Sequence, residues 1–479
     1  MTTQTFTSIN PASGEAIAEY PIATDQAIDA AAQRSLAAQR TWRDVPVADR
    51  AQVLARTAEL YRERRDELAR TIAREMGKPI TQALGEIAVT ADIFAYYASD
   101  GPGMLAPRTY TPHSGGTATV LTQPIGPLLG IMPWNYPHYQ VARFAAPNLL
   151  LGNSILLKHA RDCPASALAI ADLLAEAGLP EGLYVNLFAT HDQVTRLIEG
   201  AVVRGVSLTG SERAGARVAA VAGRSLKKVV LELGGSDPFI VLDGHDLDRT
   251  VHDAVSGRFS NAGQACTSPK RIIIVDAVYD RFVERFRQEA ARLVPGDPLD
   301  VGTALGPLSS TRARADVLAQ VRDTVAAGAS LLVGGAEAGV TGGDTSGQTG
   351  ESGASARTDE SGAWLPPIVL ADVRPGMRAW DEELFGPVAL LYRVADADAA
   401  VTLANTSPYG LGAAVYTADA ALARSVAERL EVGMVTINGN SDSEPDLPFG
   451  GVKRSGFGRE LGIWGILEFS NQKLIRVRD

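Results

Sequence analysis

Apolar residues recur at near-helical spacing among Arg and Glu residues between Asp49 and Met76. The apolar positions are Val53, Leu54, Leu60, Leu68 and Ile72. Such periodicity is typical of amphipathic helix whose charged face meets water. Gly77 and Pro79 end the run, because neither residue continues a helix readily. The first hundred residues are therefore predicted to be mainly helical.

A different pattern begins at Pro124, where apolar runs alternate with helical stretches. The runs predicted as buried strands are Gly126–Met132, Ile155–Lys158, Val203–Thr209 and Lys228–Glu232. Ser166 to Ala177 is predicted as a helix that ends at Gly178. Alternating strands and helices predict a parallel, doubly wound sheet with ligands at the carboxyl ends of its strands. A second such unit is predicted to begin with the apolar runs Pro238–Leu242 and Ile272–Val275.

Two further segments follow neither pattern. Thr117–Thr122 alternates polar and apolar residues, as a half-buried strand does. Residues 339–362 are rich in Gly, Ser and Thr and nearly free of large apolar side chains. Because such a composition contributes little to a packed core, this stretch is predicted to be a mobile surface insertion without a catalytic role.

Composition narrows the class of protein. Of the 479 residues, 46% are hydrophobic and 21% charged, which is ordinary for a soluble protein of two or three domains. A net charge of −10 argues against nucleic-acid binding. No apolar run reaches the roughly 20 residues needed to span a bilayer, and the N-terminus lacks a signal pattern. We therefore expect a cytoplasmic protein without membrane contact.

Few side chains carry thiol or metal chemistry. Two cysteines, Cys163 and Cys266, are too few for a disulfide framework and fit a reducing compartment. Six scattered histidines show no metal-ligand spacing, so no metal site is predicted.

Two short segments suggest chemistry of their own. Cys266 lies in the small-residue segment Asn261–Thr267, where a substrate could reach its sulfur as a nucleophile. The alternative is a buried and inert thiol. Gly210 and Ser211 follow a predicted strand and open a helix, whose N-terminal N–H groups favour a phosphate. Here the alternative is an ordinary strand-to-helix turn.

Four motifs in order resemble the aldehyde dehydrogenase superfamily across essentially the whole chain. They are Pro133–Pro137, Glu232–Gly235, Asn261–Thr267 and Glu382–Pro387. The resemblance is closest to the succinate-semialdehyde dehydrogenases, through Leu156–Ala160 and Glu232–Phe239. It implies an α/β fold with two doubly wound parallel-sheet domains and a small β oligomerisation arm. The implied division is a dinucleotide-binding domain (1–103 and 123–234), a catalytic domain (235–453) and an arm (104–122 and 465–479).

The resemblance implies a role for three residues in oxidising an aldehyde to an acid. The Cys266 thiolate would attack the carbonyl, and the Asn135 amide with the Cys266 backbone N–H would hold the oxyanion of the thiohemiacetal. After hydride transfer to the nicotinamide, Glu232 would activate the water that cleaves the thioester. Taken singly, Asn135 could instead shape a turn, and Glu232 could be a surface acid.

The implied cofactor is NAD or NADP. The residues that match the cofactor site of this family are Ile131, Pro133, Trp134, Lys158, Arg161, Gly210, Ser211, Leu233, Gly234, Glu383 and Phe385. Arg161 stands where NAD-selective members usually have a glutamate that repels a 2′-phosphate. A cation there favours tolerance of NADP; the alternative is that Arg161 points into solvent.

The implied substrate is a semialdehyde that carries its own carboxylate. Arg143 matches the arginine that binds this carboxylate in succinate-semialdehyde dehydrogenases, whereas a second such arginine is replaced by Ser260. The other residues predicted to line the substrate tunnel are Tyr136, Tyr139, Ser443 and Phe449. The predicted reaction is oxidation of succinate semialdehyde to succinate by a homodimer or homotetramer. The alternatives are broad oxidation of short aldehydes, if Arg143 pairs with a protein acid, and a non-catalytic homologue.

Overall fold

The computed structural model describes residues 4–335, 362–441 and 443–478. Its helices are α1 (Asp25–Trp42), α2 (Val47–Glu63), α3 (Arg65–Met76), α4 (Ile80–Ser99), α5 (Gly101–Met104), α6 (Tyr139–Leu151), α7 (Pro164–Glu176), α8 (His191–Glu199), α9 (Glu212–Arg224), α10 (Leu247–Phe259), α11 (Asp276–Ala290), α12 (Thr311–Ala326), α13 (Arg378–Asp381), α14 (Ala397–Asn405), α15 (Ala420–Arg429) and α16 (Gly462–Glu468). Within these residues, no helix is both long and apolar enough to cross a membrane.

The strands form two large sheets and three small ones. They are β1 (Thr5–Ile9), β2 (Ala16–Pro21), β3 (Arg108–Tyr110), β4 (Thr117–Pro124), β5 (Pro127–Met132), β6 (Ser154–His159), β7 (Tyr184–Asn186), β8 (Gly205–Thr209), β9 (Lys228–Glu232), β10 (Pro238–Val241), β11 (Arg271–Val275), β12 (Ser330–Val333), β13 (Ile368–Ala371), β14 (Val388–Val394), β15 (Tyr409–Gly410), β16 (Gly412–Tyr416), β17 (Met434–Ile437), β18 (Val452–Lys453), β19 (Gly456–Phe457) and β20 (Ser470–Val477).

The first large sheet has the order β19-β9-β8-β5-β6-β7. Strands β5 to β9 run parallel, and β19 pairs antiparallel with β9. Strands β5, β6 and β8 are almost wholly buried, as expected for a parallel sheet covered by helices on both faces. One core cluster joins this sheet to α1, α8 and α9, and another joins it to α2, α4, α6 and α7. The predicted doubly wound α/β architecture is confirmed.

The second large sheet has the order β12-β13-β14-β11-β10-β16-β17. Only its first pair, β12 with β13, is antiparallel. One face is covered by α10 and by α11, which contributes Phe282 and Phe286. The other face is covered by α12, α14 and α15. The alternation of inward side chains along β10, with Phe239 in one cluster and Ile240 in the other, follows from the two-residue period of a strand.

The predicted helical run between Asp49 and Met76 consists of two helices that meet at Arg64, where φ is −102° and ψ is 17°. Gly77 ends the second helix in the left-handed conformation with φ 80°, as its lack of a Cβ permits. The N-terminal hairpin of β1 and β2 precedes these helices. It was not predicted, because its residues show little alternation.

The segment 104–122 and the C-terminus form a small sheet of their own, ordered β20-β4-β3. Strand β20 pairs antiparallel with β4 over its full length, from Ser470 opposite Pro124 to Val477 opposite Thr117. The predicted domain limits stay predictions; β19 joins the first sheet although it lies beyond the predicted limit at residue 453. The predicted insertion at 339–362 lies, except for Gly362, outside the described residues.

Candidate active site

The carboxyl ends of three neighbouring parallel strands bring candidate residues to one edge of the first sheet. Asn135 follows β5, Ser211 follows β8, and Glu232 is the last residue of β9. A cavity of about 260 Å³ opens there. Its lining residues are Pro133, Trp134, Asn135, Gln140, Thr209, Gly210, Ser211, Glu232, Leu233, Gly234, Cys266, Glu383 and Phe385. Cys266, Glu383 and Phe385 come from the part of the chain that forms the second large sheet. The cavity therefore lies between the two large sheets.

The loop that carries Cys266 leaves α10 through a strained turn. Asn261 and Ala262 have φ values of 51° and 53°, in the left-handed region that residues with a Cβ adopt at an energetic cost. The Asn261 N–H donates to Gln82 Oε1 at 2.7 Å, and its Nδ2 donates to the Asn135 carbonyl at 3.0 Å. These bonds stabilise a conformation that the local sequence alone disfavours.

Hydrogen bonds also fix the orientation of the Asn135 amide. Its Oδ1 accepts from Gln140 Nε2 at 3.1 Å. The Nδ2 therefore faces the loop that carries Cys266 (residues 260–267, here called the nucleophile loop) and donates to the Gln264 carbonyl at 2.9 Å. Gln264 is itself held, because its Oε1 accepts from the Ser309 N–H at 2.9 Å. An amide nitrogen has two N–H groups. One Asn135 N–H is used in this contact, and the second is left for an oxyanion in the cavity.

The Cys266 thiol is partly buried and its sulfur is reduced. Burial raises its pKa to about 11, while the cations Arg143 and Lys270 act in the opposite direction. At neutral pH the thiol is therefore protonated in the unliganded protein. A proton acceptor or an additional positive charge is needed before it attacks.

Glu232 is a buried carboxyl group without a hydrogen-bond partner for either oxygen among the described residues. Burial, and then the nearby carboxylate of Glu460, raises its pKa well above the usual range, whereas Arg143 opposes the shift. Gly450 lies against it: a Cβ there would be 2.6 Å from Oε1 of Glu232. An unpaired carboxyl at the cavity wall is available to water and substrate rather than to the protein.

The two glycines after Glu232 permit close approaches across the cavity. A Cβ on Gly234 would lie 2.1 Å from Glu383 Oε2, and one on Gly235 would lie 2.6 Å from the Cys266 carbonyl oxygen. The Gly235 N–H donates to Glu383 Oε1 at 3.1 Å. The end of β9 thus packs directly against both the nucleophile loop and the Glu383 carboxylate, which no side chain would allow.

A second cavity of about 530 Å³ shares Ser211 with the first. Ser211 caps α9, and its Oγ accepts from the Ala214 N–H. Other residues of the second cavity are Ile131, Lys158, His191, Val194, Ile198, Arg213 and Arg217. Two cavities that meet at a helix N-terminus fit the two halves of a dinucleotide on either side of its pyrophosphate.

The predicted cofactor residues divide between these two cavities with one exception. Arg161 lines neither cavity. Its side chain is 70% exposed, 3.7 Å from Asp162. The structure therefore places Arg161 in solvent beside the cofactor cavities, which matches the alternative weighed for this residue.

The predicted substrate residues form a cluster around Arg143 rather than lining the first cavity. The buried guanidinium lies 4.1 Å from the Phe449 ring centroid and 4.8 Å from that of Tyr139, and its Nη1 donates to the Tyr139 hydroxyl. Tyr136 packs edge-on against Tyr139, whose hydroxyl is also hydrogen bonded to Ser443. The tunnel residues predicted from the sequence are thus brought together.

Arg143 also has a protein acid beside it. Its Nε lies 2.8 Å from Glu460 Oε2 in a buried ion pair, so the Glu460 carboxylate occupies the Nε side of the guanidinium. The Nη2 of Arg143, by contrast, has no hydrogen-bond partner among the described residues. The guanidinium therefore keeps N–H groups for another anion.

With this geometry in place, comparison with known proteins decides the family. The sequence model of the aldehyde dehydrogenase family matches residues 1–475 of this chain. The chain belongs to the aldehyde dehydrogenase family. The family predicted from the four motifs is therefore confirmed.

Relatives of this aldehyde dehydrogenase are similar over almost its whole length. It is 53% identical to a succinate-semialdehyde dehydrogenase [NADP(+)] of Deinococcus radiodurans, over 98% of this chain and 94% of the relative. It is 45% identical to the succinate semialdehyde dehydrogenase [NAD(P)+] Sad of Escherichia coli K12, over 97% and 96%. Among solved structures, the succinic semialdehyde dehydrogenase of Streptococcus pyogenes in complex with NADP+ has a TM-score of 0.92 and 38% identity, covering 99% and 100% of the two chains.

Two buried charged residues of the aldehyde dehydrogenase site were not predicted from the sequence. Glu460 pairs with Arg143, and Lys270 contacts the Cys266 carbonyl and the Glu383 carboxylate. A signal for Lys270 exists in hindsight, since a lysine at the start of the apolar run Arg271–Val275 is costly to bury without partners. Glu460 lies in a Gly-Arg-Glu-Leu-Gly segment that carries no such signal.

Proposed function

We propose that this aldehyde dehydrogenase oxidises succinate semialdehyde to succinate with NADP+ or NAD+. The observation that carries the proposal is the buried Arg143 guanidinium, whose Nη2 lacks a hydrogen-bond partner among the described residues. Buried donors without acceptors are costly, and a substrate carboxylate would satisfy them. The charge of Arg143 acts on both Cys266 and Glu232, which supports a carboxylate anchor near the reacting groups. The names of the relatives from D. radiodurans and E. coli support the same substrate.

The chain's own residues account for the carbon chemistry. Ionised Glu232 takes the proton of the Cys266 thiol and passes it to solvent, the sulfur bonds to the aldehyde carbon, and the oxyanion is stabilised by the free Asn135 Nδ2–H together with the Cys266 N–H. Loss of hydride from this carbon leaves a thioester. A bound nicotinamide, which Glu383 and the residues of the first cavity would hold, supplies the hydride acceptor. Glu232 then takes a proton from water, which adds to the thioester, and the carbon–sulfur bond breaks to release succinate and the thiol.

The test of this proposal compares two aldehydes in two proteins. Initial rates of nicotinamide reduction are measured with succinate semialdehyde and with butanal, for wild type and Arg143→Ala. Loss of a charge-assisted contact of about 1.5 to 3 kcal/mol predicts a fall of about tenfold to hundredfold in kcat/KM for the semialdehyde. Butanal, which has no carboxylate, is expected to lose less activity, because for this aldehyde only the effect of the Arg143 charge on Cys266 and Glu232 is removed. The ratio of kcat/KM for the two aldehydes therefore isolates the carboxylate contact.

The ion pair with Glu460 supports a second candidate, a broad aldehyde dehydrogenase in which Arg143 has a structural role only. Under that reading, wild type oxidises the two aldehydes alike, and Arg143→Ala weakens both. Such a result would exclude the succinate semialdehyde proposal. A Cys266→Ala protein, which lacks the nucleophile, is expected to reduce no cofactor with either aldehyde; the same absence in wild type would favour a non-catalytic homologue.

We further propose that NADP+ is the preferred cofactor. Three side chains that line the second cavity, Lys158, Arg213 and Arg217, are cationic, and the only acid within 4 Å of them among the described residues is Asp192, 3.8 Å from Arg217. An adenine ribose 2′-phosphate would pair with such a set. On this proposal Arg213 and Arg217, rather than Arg161, supply the positive charge that binds the 2′-phosphate.

We also propose that the chain works as a homodimer or homotetramer in the cytoplasm, where a reducing environment keeps Cys266 free. The support for assembly is the small sheet of β20, β4 and β3. It exposes Tyr110, Leu474, Ile475 and Val477, and its outer strands keep unpaired backbone groups.

A further inference from the structure

The ammonium group of Lys270 lies between the Cys266 loop and the Glu383 carboxylate, and the proposed reaction gives it no role. Its Nζ donates to the Ala265 carbonyl at 2.8 Å and to the Cys266 carbonyl at 2.9 Å, and is 3.0 Å from Glu383 Oε1. A lysine ammonium has three N–H groups and no acceptor. All three are therefore matched by three oxygens, and the side chain is 1% exposed.

Two of these oxygens belong to the backbone of the nucleophile loop. The third belongs to the carboxylate that the family resemblance assigns to the nicotinamide ribose. The Lys270 backbone is anchored as well, because its carbonyl accepts from the Leu390 N–H at 3.0 Å within the second sheet. Lys270 thus connects a rigid strand, the loop that carries the thiol and the cofactor carboxylate.

We propose that Lys270 is a positioning residue that holds the Cys266 loop and the Glu383 carboxylate in one fixed arrangement, and that it promotes ionisation of the thiol. The proposal rests on the proposed function only in taking Glu383 as a cofactor ligand. Removal of the lysine is expected to disturb two things at once: the reactivity of the thiol and the grip on the nicotinamide half of the cofactor.

The charged groups that act on Cys266 define what the lysine contributes. Arg143 and Lys270 favour the thiolate, whereas Glu383 and Asp237 disfavour it. Asp237 is buried next to Lys270, and burial raises its pKa to about 7 while Lys270 lowers it. Without the Lys270 charge, two carboxyl groups would face the sulfur with only Arg143 to balance them.

The first readout is alkylation of Cys266 by iodoacetamide in the unliganded protein, followed by mass spectrometry across a pH series. In Lys270→Met the rate near pH 9 is expected to fall about tenfold, because the buried Lys270 cation favours the thiolate and its loss should shift the ionisation by about one unit. The whole profile should move to higher pH. Lys270→Arg keeps the charge and is expected to restore most of the rate.

The second readout is calorimetric binding of two ligands. Glu383 would bind the nicotinamide ribose of NADP+, and 2′,5′-ADP lacks that half of the molecule. Lys270→Met is expected to weaken NADP+ severalfold and to leave 2′,5′-ADP unchanged. Lys228→Met, at the opposite end of β9 from Glu232 and exposed, is the matched control and should change neither ligand nor the alkylation profile.

A purely structural lysine would give a different pattern, in which Lys270→Met melts earlier while the folded fraction keeps the wild-type pH profile and ligand ratio. That result would overturn the proposal. If Lys270→Met does not fold, Lys270→Gln, which keeps two N–H donors without the charge, is expected to show the same shift of the profile, and an unshifted profile again overturns it. Neither readout involves an aldehyde, so the outcome is independent of the substrate proposal.

Discussion

The Glu232 carboxyl group lies in surroundings that favour its neutral form. Burial is the main cause of its raised pKa, and the nearby carboxylate of Glu460 adds to it. A general base accepts a proton only in its ionised form. On the proposed mechanism, the surroundings favour the neutral form of the carboxyl that activates water, and its ionisation should limit thioester hydrolysis.

Turnover is expected to rise with pH through a value well above the ordinary range of a glutamate. Ionisation of Glu232 becomes favourable only there, because its pKa is raised. Glu232→Gln is expected to lower kcat by about 10² to 10⁴-fold and to abolish this pH limb. Stopped-flow measurement of reduced cofactor should still show a burst in the variant, since hydride transfer precedes hydrolysis. An unchanged pH profile in Glu232→Gln would assign the limb to another group.

Single residues could be predicted where a motif names them, and not where burial decides their role. Asn135, Glu232 and Cys266 each stand in a recognisable segment, and the structure brings all three to one cavity. The partners of Lys270 come from the loop before it and from Glu383, far along the chain. No local pattern shows that a lysine and a distant glutamate will meet in a buried site.

At the scale of elements, buried strands were the most predictable feature. Lys228–Glu232 has the predicted bounds, and Val203–Thr209 is shortened only to Gly205–Thr209. Continuous apolar runs specify such strands because both faces are covered. The long helical run was less predictable, since its break at Arg64 depends on packing of two helices and not on a breaking residue.

Helix α9 illustrates what an element adds to its residues. Arg213 and Arg217 are four residues apart, so they lie on one helical face, and both line the second cavity. Arg213→Ala and Arg217→Ala are each expected to raise the Kd of 2′,5′-ADP about tenfold, because each removes one charge-assisted hydrogen bond. Calorimetry with 5′-AMP, which lacks the 2′-phosphate, should show little change.

The matched control for this helix is Arg224→Ala, at the last residue of α9 and outside the cavity, which should leave both ligands unaffected. Equal weakening of 5′-AMP and 2′,5′-ADP in the cavity variants would mean that the arginines do not read the 2′-phosphate. If instead Arg161→Ala alone weakens 2′,5′-ADP, the original expectation for that residue would be restored.

At the scale of the whole molecule, the active site exists only because two sheets face each other. The first sheet supplies Asn135 and Glu232 at its strand ends, while Cys266 and Glu383 come from the other half of the chain. The doubly wound architecture could be predicted from alternating strands and helices. The close approach of the halves could not, because it depends on contacts such as Gly235 against the Cys266 carbonyl.

The small sheet of β20, β4 and β3 has a different whole-molecule role. Neighbouring residues of a strand point to opposite faces, so exposed Leu474 and Ile475 put a large apolar side chain on each face of β20, next to the charged Lys473 and Arg476. A monomer would leave these faces and the strand edge in water, which favours association with a second copy. Because β20 pairs with β4 over eight residues within the chain, a single chain forms this small sheet.

Charges on this arm should therefore separate the subunits. The double variant Leu474→Asp and Ile475→Asp is expected to sediment as one chain in analytical ultracentrifugation, whereas wild type sediments as two or four chains, because two desolvated carboxylates would be costly at the interface. Val301→Asp changes an apolar residue that is even more exposed than Leu474 and Ile475 but lies outside the arm, and it should keep the wild-type mass. A charged arm that still assembles would show that another surface joins the subunits. Cofactor binding in the separated subunits should persist, since both cavities are built from a single chain.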